Sequence, residues 1–193
     1  MNKRLLDHIA RHVTLDLSEQ ELLFNTLVLK KLNKNQYLLK EGDICKYDYF
    51  VIQGGVRQYE VDKNGKELII HFGFEDWWIS DKASLWNGTS SIYNIEALED
   101  TSVLQVKKEH LEKLFSLSPK LEHYFHLVLQ HTFAIWQNKI LFLQKPAEER
   151  YRLFREMYGH IEQRISQQYV ASYLGITRET LSRLRRQILK KAK

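Results

Sequence analysis

Residues 167–186 read QQYVASYLGITRETLSRLRR, and this stretch decides the fold of the C-terminal part of the chain. A helix-turn-helix needs a small residue where its helices cross and a residue that accepts positive φ in the turn. Ala171 and Gly175 meet these two needs, while Ser166 and Thr177 are suitable N-caps for the two helices. The predicted inward positions are apolar: Val170, Leu174, Ile176, Leu181 and Leu184. The pattern therefore predicts a helix-turn-helix.

The second of these helices has two chemically different faces. Its apolar side chains are Leu181, Leu184 and Ile188. On the opposite face, Arg178, Glu179 and Arg183 have the donors and acceptors that recognise base edges in a DNA major groove. The predicted contacts to the DNA backbone are Ser182, Arg185, Arg186, Gln187 and Lys190. The alternative is a solvated helix in which Glu179 pairs with Arg183 one turn later.

The positive charge of the chain is concentrated near its C-terminus. The whole chain has a net charge of +5, but residues 145–193 contain 12 Lys and Arg against 5 Glu. The preceding residues are therefore slightly acidic. This asymmetry favours attraction of the C-terminal part to phosphate, although a solvated basic tail would give the same composition.

The only two prolines delimit a long helix. Ser118 and Pro119 form an N-cap followed by proline at the first helical position, and Pro146 ends the interval. The predicted helix has about 26 residues and is on the order of 39 Å long. Because its apolar face is wider than one packing surface requires, we predict contact with a second copy; a single buried core helix is the alternative. The predicted dimer contacts are Phe125, Leu129, Thr132, Trp136, Ile140 and Leu143.

Upstream, residues 37–106 contain short apolar runs separated by turn signals. Asn64-Gly65 is the strongest of these signals and predicts a hairpin. Several short strands at such spacing indicate a barrel or roll. Residues 3–32 are predicted to be helical, with Asp16 or Ser18 as a cap, and residues 108–115 are predicted to form a short helix.

Three stretches resemble the Crp/Fnr family of transcriptional regulators, and together they span nearly the whole chain. Residues 38–72 (LLKEGDICKYDYFVIQGGVRQYEVDKNGKELIIHF) resemble its cyclic-nucleotide-binding-type β-roll. Residues 118–144 (SPKLEHYFHLVLQHTFAIWQNKILFLQ) resemble its dimerisation helix, and residues 165–189 (ISQQYVASYLGITRETLSRLRRQIL) its winged helix-turn-helix. ITRETLSR, at residues 176–183, is especially close to the recognition helix of the catabolite activator.

The resemblance implies an α+β fold with three parts. These are an effector-type β-roll with flanking helices at 1–117, a dimerisation helix at 118–145 and a truncated winged helix-turn-helix domain at 146–193. It also implies that Arg178, Glu179 and Arg183 touch base edges. Since few residues follow the recognition helix, we expect any strands of the winged domain to lie largely before the helix pair.

The cyclic-nucleotide site of the family is altered in this sequence. Relatives that bind cyclic AMP hold its ribose with a Gly-Glu pair and its phosphate with an Arg-Ser-Ala run. The corresponding residues here are Ser80-Asp81 and Ser91-Ile92-Tyr93, so no cation compensates a buried phosphate and the Asp adds repulsion. We expect no tight binding of cyclic AMP and no cofactor. Cys45 alone cannot reproduce the Cys-rich arrangement of oxygen-sensing members.

Aromatic residues cluster where a nucleotide would bind in relatives. An apolar or planar effector is one interpretation, and rings that fill a vacated pocket are the other. The candidate pocket residues are Trp77, Trp78, Ser80, Asp81, Tyr93, His131 and Trp136. The identity of an effector stays open.

The remaining features exclude several classes of protein. No signal peptide or apolar stretch long enough to cross a membrane is present, which predicts a cytoplasmic protein without a membrane partner. No catalytic motif is found, and His8 with His12 lacks the neighbouring carboxylate of a zinc enzyme, so we expect neither an enzyme nor a metal site.

These observations predict a homodimeric regulator that binds near-palindromic double-stranded DNA. RNA polymerase and a small-molecule effector are further candidate partners. The alternatives are a regulator that acts without an effector and a sensory module whose helix-turn-helix contacts protein.

Overall fold

The computed structural model describes residues 3–191, and of residues 189–191 it describes the backbone alone. The helices are α1 (Lys3–Ala10), α2 (Leu17–Phe24), α3 (Lys82–Asn87), α4 (Lys108–Leu117), α5 (Pro119–Gln144), α6 (Ala147–Tyr158), α7 (Gln167–Tyr173) and α8 (Arg178–Lys191), with a 3₁₀ turn at Glu162–Arg164. The strands are β1 (Leu27–Leu32), β2 (Tyr37–Leu39), β3 (Tyr47–Gln53), β4 (Val56–Val61), β5 (Glu67–Gly73), β6 (Trp78–Ile79), β7 (Asn94–Ala97) and β8 (Thr101–Lys107).

The chain divides into two compact units. The first comprises Met1–Glu60 and His71–His131, and the second comprises Val61–Ile70 and Thr132–Lys193. This division differs from the three predicted segments, because residues of α5 belong to both units and the tip of the β4–β5 hairpin belongs with the C-terminal helices.

The first unit is the predicted β-roll. One sheet has the strand order β1-β8-β3-β6 and the other β2-β7-β4-β5. The pairings of β8 with β1 and β3, and of β7 with β2 and β4, are antiparallel. Val51, Ile95 and Val103 are completely buried in its core because alternate residues of each strand point inward. The short apolar runs of the sequence therefore form strands, as predicted.

The expectation of a helix from residue 3 to residue 32 is wrong for residues 11–16, which separate α1 from α2, and for residues 25–32. Helix α2 ends at Phe24, and Leu27–Leu32 forms strand β1, which pairs with β8 from Leu27↔Val106 to Leu32↔Thr101. A pairing partner about 70 residues away decided the conformation of this short apolar run. Of the two predicted caps, Asp16 is the one used: its carboxylate accepts from the Glu19 amide at 2.9 Å.

Helix α5 has the predicted bounds and length, 26 residues. It begins at Pro119, where the Ser118 hydroxyl accepts from the Leu121 amide at 3.3 Å. Near this end, Leu121 and Tyr124 are completely buried in the core of the first unit. The burial anchors the start of the helix by one face.

In the second unit, the segment next to the helix pair on its N-terminal side is helical. Among described residues 132–191 no strand occurs, and Ala147–Tyr158 forms α6. Tyr151, Phe154 and Tyr158 are buried at spacings of three and four, the period of a helix rather than of a strand. The strand residues of this unit come instead from Val61–Ile70.

Candidate nucleic-acid interface

The helix-turn-helix is built by local hydrogen bonds at the positions that the sequence predicts. The Ser166 hydroxyl accepts from the Tyr169 amide at 3.3 Å and caps α7, and the Thr177 hydroxyl accepts from the Thr180 amide at 3.2 Å and caps α8. Gly175 has φ +63°, and the following Ile176 amide donates to the Ala171 carbonyl at 3.0 Å. This left-handed turn ends α7 and directs the chain into α8.

Buried apolar contacts hold α7 and α8 together. Val170, Leu174 and Leu181 are at most 1% exposed, and Ala171 is 3% exposed. Because the small Ala171 side chain allows close approach, the helices cross without a gap. The crossing fixes which face of α8 points outward.

The outward face of α8 carries the three predicted base-reading residues. Arg178, Glu179 and Arg183 are all exposed. The backbone N–H of Glu179 and the Thr177 hydroxyl lower the pKa of the Glu179 carboxyl, so this group is an anionic acceptor at neutral pH. Two cations and one acceptor thus lie together on a helix wide enough to fill a DNA major groove.

The structure separates the predicted backbone-contact residues by environment. Arg186 and Gln187 are exposed, whereas Ser182 and Arg185 are half-buried. The Arg185 guanidinium lies 3.9 Å from the carboxylate of Glu162, which directs it toward its own unit. The side chain of Lys190 lies outside the described residues, so its contact with DNA stays a sequence-based prediction.

Glu162 is a positioning residue that the sequence analysis missed. It accepts from the Tyr151 hydroxyl at 2.9 Å and lies 3.8 Å from Arg155 and 3.9 Å from Arg185. The carboxylate therefore joins α6, the 3₁₀ turn and α8. Nothing in its local sequence indicates this role, because its partners come from two other helices, Tyr151 and Arg155 from α6 and Arg185 from α8.

The surface of α5 carries a row of exposed apolar side chains. Leu129, Phe133, Trp136, Ile140 and Leu143 are 55%, 62%, 37%, 65% and 48% exposed, respectively. Their spacing alternates between four and three residues, which is the spacing of a coiled-coil seam. We call these five residues the α5 seam. Phe133 belongs to it although the predicted dimer contacts omit it.

Two predicted dimer contacts are less exposed than the α5 seam. The Phe125 ring packs against Trp78 at 5.0 Å and Phe115 at 5.3 Å between ring centroids, within the first unit. Thr132 is half-buried. A role of these two residues in a dimer stays a sequence-based prediction.

The residues that replace the family's nucleotide contacts bind one another. The Ser91 hydroxyl donates to the Asp81 carboxylate at 2.7 Å, and the other oxygen of Asp81 accepts from the Ser84 amide and caps α3. Both Asp81 and Ser91 are buried. The Asp81 carboxylate thus holds the Ser91 hydroxyl and the backbone amide of Ser84. The buried Ser80 hydroxyl, in contrast, has no hydrogen-bond partner in the part of the chain that the structure describes.

The candidate effector residues of the first unit do not share one environment. Trp78 donates its indole N–H to the Tyr124 hydroxyl at 2.8 Å and packs against Phe50, so it is a core residue. Trp77 is half-buried with its ring 5.0 Å from that of His71, and Tyr93 is half-buried. His131 is exposed on α5, and so is Trp136, which belongs to the α5 seam.

An aromatic cluster with a largely buried amine packs α6 against α7. Phe154, Tyr158 and Tyr173 lie within 6 Å of one another, centroid to centroid. The Lys139 amine lies 3.0 Å from the Tyr173 ring centroid and donates to the Tyr173 carbonyl at 3.1 Å. Burial, with a smaller contribution from the Arg150 charge, lowers the pKa of Lys139 to about 7.

We expect the free energy of unfolding to rise by about 1–2 kcal/mol from pH 7 to pH 9 because of Lys139. In this range the unfolded lysine keeps a proton that the folded lysine releases, so raising the pH favours the folded state. Contact with the aromatic faces offsets part of the effect. Urea unfolding of the wild type and of Lys139→Met at both pH values measures it. The variant should lose this rise, while exposed Lys63→Met should keep it; equal pH dependence in all three proteins would contradict the assignment.

The described residues contain neither a membrane-spanning helix nor a cluster of metal ligands. No helix among residues 3–191 is long and apolar enough to cross a membrane. In the same part of the chain, no group of three His, Cys, Asp or Glu side chains is arranged to hold a metal ion. The His8 ring instead bonds the Tyr124 hydroxyl at 2.8 Å.

A β-roll, a long helix with an exposed apolar seam and a helix-turn-helix define a regulator with a sensory-type domain. Residues 29–118 match the family model described as "Cyclic nucleotide-binding domain". The chain is 30% identical over 184 residues to the fumarate and nitrate reduction regulatory protein of Salmonella typhimurium, which covers 89% of this chain and 73% of that protein.

A second regulatory protein and a solved structure are also similar to this chain. The regulatory protein HlyX of Actinobacillus pleuropneumoniae is 27% identical over 190 residues, covering 87% of this chain and 75% of HlyX. The structure of FixK2 from Bradyrhizobium japonicum has a TM-score of 0.75 and 25% identity, covering 86% of each chain. The chain therefore belongs to the Crp/Fnr family of transcriptional regulators, which are not enzymes.

Proposed function

We propose that this regulator is a cytoplasmic homodimer that binds near-palindromic DNA through one α8 helix in each half-site. The observation that carries the proposal is the outward face of α8, where Arg178, Glu179 and Arg183 are exposed while Leu181 is completely buried. Arg bonds both acceptors of guanine and Glu accepts from cytosine, so this face has the chemistry to recognise G·C pairs.

The α5 seam supports the dimeric state. Exposure of its five large apolar side chains to water is unfavourable. Their heptad spacing fits burial against the same helix of a second copy. Two-fold symmetry then places the two α8 helices on the same side of the duplex, with half-sites about one helical turn, roughly 34 Å, apart.

An effector other than cyclic AMP is proposed for the β-roll. The buried and unpartnered Ser80 hydroxyl favours a small ligand with a polar group, and the neighbouring Asp81 disfavours an anion. Binding there would act by changing the relative stability of states with different DNA affinity. RNA polymerase is the further partner through which a bound dimer would alter transcription.

We expect cyclic AMP to bind weakly, with no effect on DNA affinity. The Asp81 carboxylate already holds Ser91, and its charge repels a phosphate that has no compensating cation. Isothermal titration calorimetry and operator-binding assays with added cyclic AMP test this expectation. Micromolar or tighter binding would overturn it.

Selection of DNA sites from a random duplex pool tests the proposed function. The purified protein is used alone and with a cell metabolite extract. A palindrome enriched in both conditions establishes an effector-independent dimeric regulator, and one enriched only with extract establishes ligand gating. Absence of enrichment in both conditions favours the alternative in which the helix-turn-helix contacts protein.

The salt dependence of binding also distinguishes DNA binding from a protein contact of the helix-turn-helix. DNA binding should weaken steeply with salt, with a log–log slope near −0.9 for each neutralised phosphate. A protein contact of the same surface should show a shallower dependence.

A further inference from the structure

The tip of the β4–β5 hairpin packs beside the helix-turn-helix, within the second unit. The Ser172 hydroxyl of α7 donates to the Glu67 carbonyl at 2.7 Å and accepts from the Ile69 amide at 3.0 Å. The Ser172 hydroxyl thus binds the carbonyl of Glu67 and the N–H of Ile69, as the backbone of a neighbouring strand would. Ile69 is only 4% exposed, so the hairpin is packed as well as hydrogen-bonded.

The turn of this hairpin is closed by hydrogen bonds and presents two lysines. The Asp62 carboxylate accepts from the Asn64 amide at 2.8 Å and the Lys66 amide at 2.9 Å, and Gly65 has φ +78°. The carboxylate is therefore directed into the turn. Lys63 and Lys66 are exposed at its tip.

The tip and the recognition elements line the same groove. Its lining includes Gly65, Lys66 and Glu67 of the hairpin, Gln168 of α7, and Thr177 and Arg178 at the start of α8. A B-DNA major groove is about 12 Å wide, close to the diameter of a helix with its side chains. When a recognition helix lies in this groove, the elements on either side of it therefore face the two phosphate backbones that border the groove.

We infer that the β4–β5 hairpin is a second DNA-contacting element, in which Lys63 and Lys66 contact the phosphate backbone beside each half-site. It is a hairpin packed beside the helix-turn-helix, as a wing would be, and it is supplied from residues 61–70 rather than from the segments next to α7 and α8. The contact adds affinity without sequence preference, because phosphates are the same at every base pair. This inference rests on the proposed DNA-binding function.

The test compares Lys63→Ala/Lys66→Ala with the wild type on the selected operator and on random duplex, from 50 to 200 mM salt. Loss of two phosphate contacts should make the log–log slope shallower by about 1.8 per monomer. The ratio of wild-type affinity to variant affinity should therefore fall about tenfold per monomer as the salt concentration rises fourfold. The fall should be the same on both DNAs. The charge-matched control, Lys34→Ala/Lys113→Ala, replaces two exposed lysines of the first unit and should leave the slope closer to that of the wild type.

A second variant tests the docking of the hairpin. Ser172→Ala removes both hydrogen bonds to β5, so it should make the slope shallower in the same direction, and adding it to the lysine pair should cause little further change. If Ser172→Ala strengthens DNA binding, the hairpin blocks the interface and the inference is wrong. If the wild type binds its operator and the lysine pair behaves as the control does, the inference fails while the proposed function stands. If the wild type selects no DNA, the proposed function itself fails.

Discussion

Arg178→Ala is expected to weaken binding to the selected palindrome by about 1–3 kcal/mol per half-site, or about 5- to 150-fold, and to relax the preference at one base pair. Arg178 is exposed at the first position of α8, directly after the Thr177 cap. Its guanidinium can therefore reach the base edges, where a bidentate contact to guanine is lost completely on truncation to alanine.

Binding of each variant to the selected site, to single-base variants of it and to random duplex measures this effect. Arg186→Ala is the matched control, since Arg186 is exposed on the same helix and is predicted to contact phosphate. It should weaken binding to all three DNAs alike. Equal losses on cognate and random DNA for Arg178→Ala would show that Arg178 does not read bases.

Phe133→Glu/Ile140→Glu is expected to separate the dimer and to lower operator affinity by at least about 100-fold. These two seam residues are 62% and 65% exposed in the single chain, so the substitutions disturb no buried contact of the monomer. In a dimer they would bring carboxylates into an apolar interface, which is strongly unfavourable. A monomer engages one half-site at a time and loses the advantage of linked binding.

Sedimentation velocity and operator binding measure the two consequences. His131→Glu/Asn138→Glu is the matched control: it adds the same charge at the same seven-residue spacing, at exposed positions that the heptad places away from the seam. This control should remain dimeric. A dimeric Phe133→Glu/Ile140→Glu protein would show that the seam is not the interface.

Local chemistry was sufficient to predict much of this molecule. The caps at Ser166 and Thr177, the positive φ of Gly175 and the length of α5 depend on neighbours within about five residues in sequence, so the residue types alone indicate them. The short apolar runs and turn signals indicated a barrel or roll, and the family resemblance specified a β-roll, whose strand pairings over long distances no local pattern specifies.

Long-range contacts decided where the sequence-based expectations were wrong or incomplete. Leu27–Leu32 is a strand because β8 pairs with it, although its own pattern allowed a helix. The Phe125 ring packs against Trp78 and Phe115, a contact that its place in the apolar stripe of α5 does not reveal. Arg185 lies toward Glu162, a partner contributed by another element.

By itself, the sequence determined the helix-turn-helix and the face of α8 that carries Arg178, Glu179 and Arg183, because both depend on residue identity and short-range periodicity. Only the tertiary structure decided that Asp81 binds Ser91, that the α5 seam includes Phe133, and that the hairpin tip at Lys63 and Lys66 packs beside α7. The physical reason is that side-chain partners distant in sequence are chosen by packing, which residue spacing does not reveal.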